Sequence, residues 1–376
     1  MKISALIAEF NPFHAGHKLL IDSMRQESDA VVAIMSGNFV QRGECSIYKK
    51  AERACAALKN GVDLVLELPA VFALSSAEGF ARGGVKILDA CNVIDTLWFG
   101  SECGDIDALT SLADILNEES PSFCKALDEK LSRGASFPAA RTYALSKMGA
   151  DASLLESPNN ILAVEYIRAL KAIRSDIKPV TIKRMGAGYN EKSCEKEIPS
   201  ASFVRSLIES GKDADKYMLY KFESSPLFMK NFDLFIALRL KTASAEELCL
   251  IPDCNEELAV RLKKASQLNT FDEIVSAVST RRYTQSRIRR ILCNLLINNC
   301  FKAVPEPTYI RPLAFNETGS KALKEMKKTA SLPIRTRGGA IKDDDIFLLE
   351  CRSTDVYNLA HGIEGGEEFR FTPIRL

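Results

Sequence analysis

Residues 3–20 read ISALIAEFNPFHAGHKLL, and the fold turns on where this stretch divides. ISALIA is a short apolar run with strand composition, EFNPF interrupts it, and from about Ala15 the apolar residues recur at helical spacing. A strand that passes through a short loop into a helix is the opening unit of a parallel α/β sheet. The same alternation continues through AVVAIMSG, KKAERACAALKNG, VDLVLELP, AEGFARGGVKILDAC and VIDTLWFG. Strands that are apolar throughout need cover on both faces, so the pattern predicts a Rossmann-like, doubly wound parallel sheet of the α/β class.

Residues 105–175 lose the strand signal and read as a helical insertion, broken at SPSF, SFPAA and ESPNN. KPVTIKR then returns as a strand, and SASFVRSLIESG reads as a short helix with Pro199 before it and Gly211 at its end. These breaks predict a first domain over 1–225 and a mainly helical C-terminal domain over 226–376. The second contains the Pro-rich passage VPEPTYIRPL and a mixed tail.

Lys and Arg number 50 against 49 Asp and Glu in 376 residues, so affinity for nucleic acid has to come from a local basic patch. The eleven cysteines include no CxxC pair, and no histidine is spaced for a zinc site. Reduced thiols and a cytoplasmic setting are expected, with no metal ligands assigned. The first apolar run is too short for a signal h-region, and no segment approaches the ~20 apolar residues of a membrane span.

Chemistry concentrates in the opening stretch. Of three histidines in the chain, His14 and His17 stand three apart at the start of the first helix. Open parallel sheets bind ligands at the carboxyl ends of their strands, where this pair should lie. A helix beginning near Ala15 or Gly16 would offer free N–H groups and its dipole to an anion. Both imidazoles can donate hydrogen bonds to phosphate oxygens, and Lys18 adds charge, so a phosphoryl centre can be stabilised without a covalent intermediate. There is no GxxxxGK[ST] and no GxGxxG, and His361 stands alone in LAHGIEGG as a loop residue. Asn159 and Asn160 open the helix ILAVEYIRALKAI, either capping it or binding ligand, and Gln41 and Arg42 lie in a Gly-flanked loop.

TRRYTQSRIRRILCNLLI carries five arginines between 281 and 290. Ile288, Ile291, Leu292, Leu295 and Leu296 recur at helical spacing and should pack inward, leaving an arginine face outward. Arg281, Arg282, Arg287 and Arg290 are expected to meet RNA phosphates and Tyr283 to stack on a base.

HxGH after a first strand resembles the HIGH-type nucleotidyltransferase superfamily, which implies that the motif holds the triphosphate of ATP while its α-phosphorus is attacked. PSASFVR, residues 199–205, is similar to that superfamily's second phosphate motif, implying that Ser200, Ser202 and Arg205 grip the departing pyrophosphate. A wider resemblance covers nearly the whole chain. IAEFNPFHAGH, MSGNFVQRGE, DLVLELP, FGSE, SPNNILAVEY, IKR followed by GAGYN, RRYTQSRIRRIL and YIRPLAFNETG look like the tRNA(Met) cytidine acetate ligase family.

That resemblance implies activation of acetate by ATP, with Mg²⁺, as acetyl-AMP and acetylation of N4 of the wobble cytidine of elongator tRNA(Met). It implies catalysis by His14, His17, Lys18, Ser202 and Arg205. The ATP site it implies runs through Ile7, Ala8, Glu9, Phe10, Asn11, Pro12, Phe13, His14, Ala15, Gly16, His17, Lys18, Leu19 and Leu20, completed by Gly100, Asn159, Asn160 and Arg184. No residue is assigned as the base for the amine proton. Two other functions remain open at this point: a nucleotidyltransferase acting on a small phosphate ester, independent of RNA, and a nucleotide-responsive RNA-binding protein that releases no pyrophosphate.

Overall fold

A computed structural model describes residues 1–184 and 200–376. Among them the strands are β1 Ile3–Ala8, β2 Ala30–Ser36, β3 Phe39–Val40, β4 Glu44–Cys45, β5 Leu64–Leu68, β6 Thr96–Ser101, β7 Lys178–Lys183, β8 Pro312–Phe315 and β9 Ile374–Arg375. Seven of these form one sheet in the order β7-β6-β1-β2-β5-β8-β9, and β3 with β4 makes a small hairpin. The strands from β7 to β5 run parallel, β8 is antiparallel to β5, and β9 is parallel to β8.

The period of two along each strand sends side chains to both faces. Ile3 and Ala5 join Val32, Ile34, Leu64 and Leu66 on one side, under Phe80, Val85 and Leu88 of helix Ala77–Ala90 and Val164 and Ile167 of helix Pro158–Ala172. Leu6 and Ala8 join Val31, Ala33 and Val65 on the other, under Ile21 and Met24 of helix Ala15–Glu27 and Ala54 and Ala57 of helix Lys50–Lys59. The doubly wound sheet expected from the apolar runs is therefore present. From β1 the winding goes one way to β2 and β5 and the other way to β6 and β7, which makes the crevice beyond β1 and β6 the switch point where ligands bind.

The insertion after β6 is helical, as read: Ile106–Glu118, Pro121–Ser132 and Phe137–Lys147 precede Pro158–Ala172. Asp105, Ser120 and Ser136 cap the first three by accepting first-turn N–H groups. The chain beyond 226 is joined to the sheet. It holds five helices from Asp233–Thr242 to Gln285–Leu296, but its tail returns to the sheet as β8 and β9. Strands of four and two residues, the first opening on Pro312, are too short to show a period of two. A buried ion network seals this junction. Lys50 lies 2.5 Å from Glu67 and 3.3 Å from Glu350 and also bonds Glu368, and Arg311 lies 3.0 Å from Glu67 and 2.5 Å from Glu368. No described helix is long and apolar enough to cross a membrane.

Candidate active site

His14 is the N-cap of helix Ala15–Glu27, with extended backbone angles of φ −143° and ψ 173°. Its Nδ1 accepts the Gly16 N–H at 3.0 Å, and its own N–H donates to Nδ1 of His17 at 3.3 Å. Two imidazoles thus form the reciprocal cap that Ser and Glu make elsewhere. A ring nitrogen that accepts an N–H carries no proton, so in each neutral ring the hydrogen resides on Nε2. The rings lie 4.0 Å apart, and Phe10 and Phe13 wall His17 at 5.0 and 5.5 Å.

Burial pushes the His14 pKa down to about 3, helped by the charges of Arg184 and Arg205. Burial lowers His17 well below its ordinary value too, followed by His14 and Arg184. The pair therefore offers hydrogen-bond donors, while the arginines supply positive charge. The free backbone donors expected at the helix start are engaged in part. The N–H of Gly16 goes to His14 Nδ1, and those of His17 and Lys18 go to the His14 carbonyl at 2.9 and 3.3 Å.

The remaining motif positions divide by the face they occupy. Lys18, about 100° around the helix from His17, pairs with Asp22 on the helix surface. Leu19 is exposed and Leu20 half-buried. Ile7 packs against Gly84, where an added Cβ would meet its Cδ1 at 2.6 Å, so it faces the helix layer. Asn11, joined to Pro12 by a cis peptide, accepts the Ile47 N–H on Oδ1 at 2.8 Å, and its carbonyl accepts Arg205 Nη1 at 2.8 Å. Arg205 also donates to Ser202 Oγ at 3.3 Å and lies 3.4 Å from Glu44. Ser200 accepts the Phe203 N–H as N-cap of helix Ala201–Glu209. Pro199 and the GAGYN stretch lie outside the described residues.

Across the crevice, Gly100, Asn159, Asn160 and Arg184 meet at the ends of β6 and β7. Glu102 joins them: its carboxylate accepts from Asn159 Nδ2 at 2.7 Å and from the Asn160 N–H at 2.8 Å. Asn160 Oδ1 accepts the N–H groups of Glu102 and Cys103, and Asn159 Oδ1 accepts Arg184 Nη1 at 3.1 Å. A Cβ on Gly100 would meet Arg184 Cγ at 3.0 Å, so the glycine lets the arginine cross the strand end.

Sequence reasoning left out Glu102, Glu44 and Arg53. Glu102 stands in the quoted FGSE and caps the SPNN helix from outside, a link that no local spacing displays. Arg53 is fully buried and donates to the carbonyls of Glu9, Ser36 and Tyr48, bracing the ends of β1 and β2. Glu9, half-buried at the end of β1, accepts the Gln41 N–H at 2.8 Å. Burial raises its carboxyl above the ordinary range, against the pull of Arg42 and Arg205.

The arginine segment is more enclosed than its composition suggests. Its apolar side packs inward as expected, with Ile288, Ile291 and Leu292 buried. Tyr283, however, is 2% exposed; its hydroxyl donates to Glu257 at 2.8 Å and its ring carries the guanidinium groups of Arg282 and Arg287 at 5.4 and 5.3 Å. Stacking of a base on Tyr283 does not fit this arrangement, because arginines already occupy the ring. Arg290 is buried as well, at the face opposite the one its place in the arginine run implied. Arg281 and Arg282 are exposed, and Arg287, half-buried, donates to the Asp253 carbonyl. Arg289 reaches Glu44 at 3.1 Å, so Glu44 joins this helix to Arg205.

The model of the HIGH Nucleotidyl Transferase family matches residues 1–368. A tRNA(Met) cytidine acetate ligase of Caldanaerobacter subterraneus subsp. tengcongensis is 42% identical, with 96% of each chain covered. Another, of Clostridium perfringens, is 36% identical over 100% of this chain and 99% of its own. The crystal structure of apo Thermotoga maritima TmcAL superposes with a TM-score of 0.92 at 33% identity, and the form of that protein bound with alpha-thio ATP with 0.89 at 32%, each over the full length of both chains.

Proposed function

We propose, from the premise that this chain belongs to the HIGH nucleotidyl transferase family and within it to the tRNA(Met) cytidine acetate ligases, that it activates acetate with ATP and acetylates elongator tRNA(Met). Acetate attacks the α-phosphorus of ATP, giving acetyl-AMP and pyrophosphate; N4 of the wobble cytidine then takes the acetyl group and AMP leaves. The observation that carries the reading is the reciprocal histidine cap, which commits both Nδ1 atoms to backbone N–H groups and leaves two Nε2–H donors at the switch point.

In this reading ATP lies beyond β1 and β6. The two Nε2–H groups bind phosphate oxygens, more strongly as charge grows in the transition state, and Arg184 and Arg205 supply the countercharge. Rings that stay neutral at working pH cannot lose this role by deprotonation. Ser202 holds the Arg205 fork toward the pyrophosphate. Asn159 and Asn160, locked by Glu102, present a fixed edge to the nucleoside. Mg²⁺ carried by the nucleotide would add to the countercharge that Arg184 and Arg205 supply at the phosphates. RNA meets Arg281, Arg282 and Arg287. The ten described cysteines are all free, which suits a reducing cytoplasm.

Incubation with Mg-ATP, isotopically labelled acetate and elongator tRNA(Met), followed by nucleoside mass spectrometry, tests the whole reading. Label in N4-acetylcytidine is expected. Pyrophosphate release with unmodified tRNA would keep the adenylation step and overturn the acceptor.

A further inference from the structure

Acetyl transfer to a cytidine amine has to dispose of a proton, and the site contains few groups able to take one. The histidines are committed as donors: each Nδ1 already accepts a backbone N–H and each Nε2 carries a hydrogen. Three of the described carboxylates bond to or adjoin the motif residues. Glu102 is engaged by both asparagines through three hydrogen bonds. Glu44 is shared between Arg205 and Arg289 as an ion pair. Glu9 is differently held: it projects from the end of β1 and Oε1 accepts one backbone N–H, from Gln41.

Resting on the proposed ligase function, we infer that Glu9 is the general base of the second step. The N4 lone pair forms the new C–N bond at the acetyl carbonyl, the bond from that carbon to the AMP oxygen breaks with its electron pair leaving on AMP, and the N4 proton passes to the Glu9 carboxylate. The acid so formed returns the proton to water once AMP has left.

The surroundings suit this task. Arg42 and Glu44 bear on Glu9 from the hairpin side and Arg205 from helix Ala201–Glu209, while Arg53 lies behind the strand end and Tyr166 faces it from helix Pro158–Ala172. Burial lifts the carboxyl pKa, against the pull of Arg42 and Arg205, which makes a stronger base than an exposed glutamate. Arg205, whose charge acts on Glu9, also bonds the Asn11 carbonyl and Ser202 in the motif cluster that this reading gives to the phosphates.

Single-turnover transfer from preformed, labelled acetyl-AMP to elongator tRNA(Met) separates this step from adenylation, which ATP–pyrophosphate exchange follows. Glu9→Gln is expected to slow transfer by ~10²- to 10⁴-fold, well beyond whatever it takes from exchange, and Glu9→Asp to recover part of the loss. Wild-type transfer should rise with pH through a limb above the ordinary carboxylate range, and Glu9→Gln should lose that limb. An equal loss in both steps, or a pH limb that survives in Glu9→Gln, would overturn the assignment and leave Glu9 as a residue that positions Arg205. Where Glu9→Gln folds poorly, Glu9→Asp decides the matter, since a limb that does not move in that variant overturns the assignment just the same. A wild-type protein that makes no N4-acetylcytidine from acetyl-AMP would instead remove the ligase function beneath the inference.

Discussion

An asparagine at position 14 would keep the helix cap and lose the donor, because Asn is among the strongest N-cap residues but has no hydrogen where Nε2–H stands. His14→Asn should therefore cut ATP–pyrophosphate exchange by ~10²-fold or more, the scale of one transition-state donor, with little change in melting temperature. His14→Ala should lose the same activity and also about 1 kcal/mol of stability with the cap. The two variants together show whether the ring acts as a donor or only as a cap. The pH dependence carries the same logic. The folded His14 titrates at about 3 because of burial, and its ordinary value is 6.5. Its stabilisation is thus fully present above about 6.5 and drains away as the pH falls toward 3, where the unfolded chain binds a proton that the folded one refuses. Thermal unfolding between pH 7 and 4 should show wild type losing stability relative to His14→Asn. A difference that stays flat across that window would mean the ring is not held neutral.

The segment 280–296 shows what an element's sequence conveys and what it hides. The apolar spacing identified the inner side of helix Gln285–Leu296 correctly, since burial of Ile288, Ile291 and Leu292 follows from periodicity alone. Cation placement did not follow, because Arg282, Arg287, Arg289 and Arg290 each face carboxylates or carbonyls on elements between 17 and 245 residues away in sequence. The site divides in the same way. HxGH announced its histidines and its place after β1, whereas Glu102 and Arg53 act through partners remote in sequence and carry no spacing of their own. At this scale the proposed RNA contact is tested at the exposed pair. Arg281→Ala and Arg282→Ala should each weaken tRNA binding and reduce the slope of log K against log salt by about 0.7–0.9 if one phosphate contact is lost. Tyr283→Phe removes only a buried hydroxyl bonded to Glu257 and should cost about 1 kcal/mol of stability with the salt slope unchanged. A Tyr283→Phe protein that loses tRNA at constant stability would restore the base-stacking role.

The whole molecule is tied together where the tail rejoins the sheet. Three carboxylates, Glu67, Glu350 and Glu368, meet two cations, Lys50 and Arg311, each of the five at most 2% exposed. The count leaves one negative charge in excess, and burial followed by the Glu67 charge raises Glu350 until it holds a proton near neutrality. A carboxyl raised in the folded state contributes stability that is full below its ordinary 4.5 and is lost as pH rises through about 7. Glu350→Gln should remove that slope, seen as a wild-type minus variant difference in unfolding free energy that declines between those limits. Lys50 is the keystone, since it alone touches all three acids. Lys50→Met leaves the trio with one cation in a site closed to water, and removing one partner of such a network costs about 3–5 kcal/mol. Because Glu67 lies on β5 and the other two acids on helices Asp345–Ala360 and Glu367–Arg370, the loss should appear in one cooperative transition that includes the nucleotide site. Denaturant unfolding followed at Trp98, in the core beneath that site, and by circular dichroism of the whole chain should give coincident curves shifted together. Separate transitions would show that the tail melts from the sheet on its own, and that residues 226–376 form an independent domain despite lending it two strands.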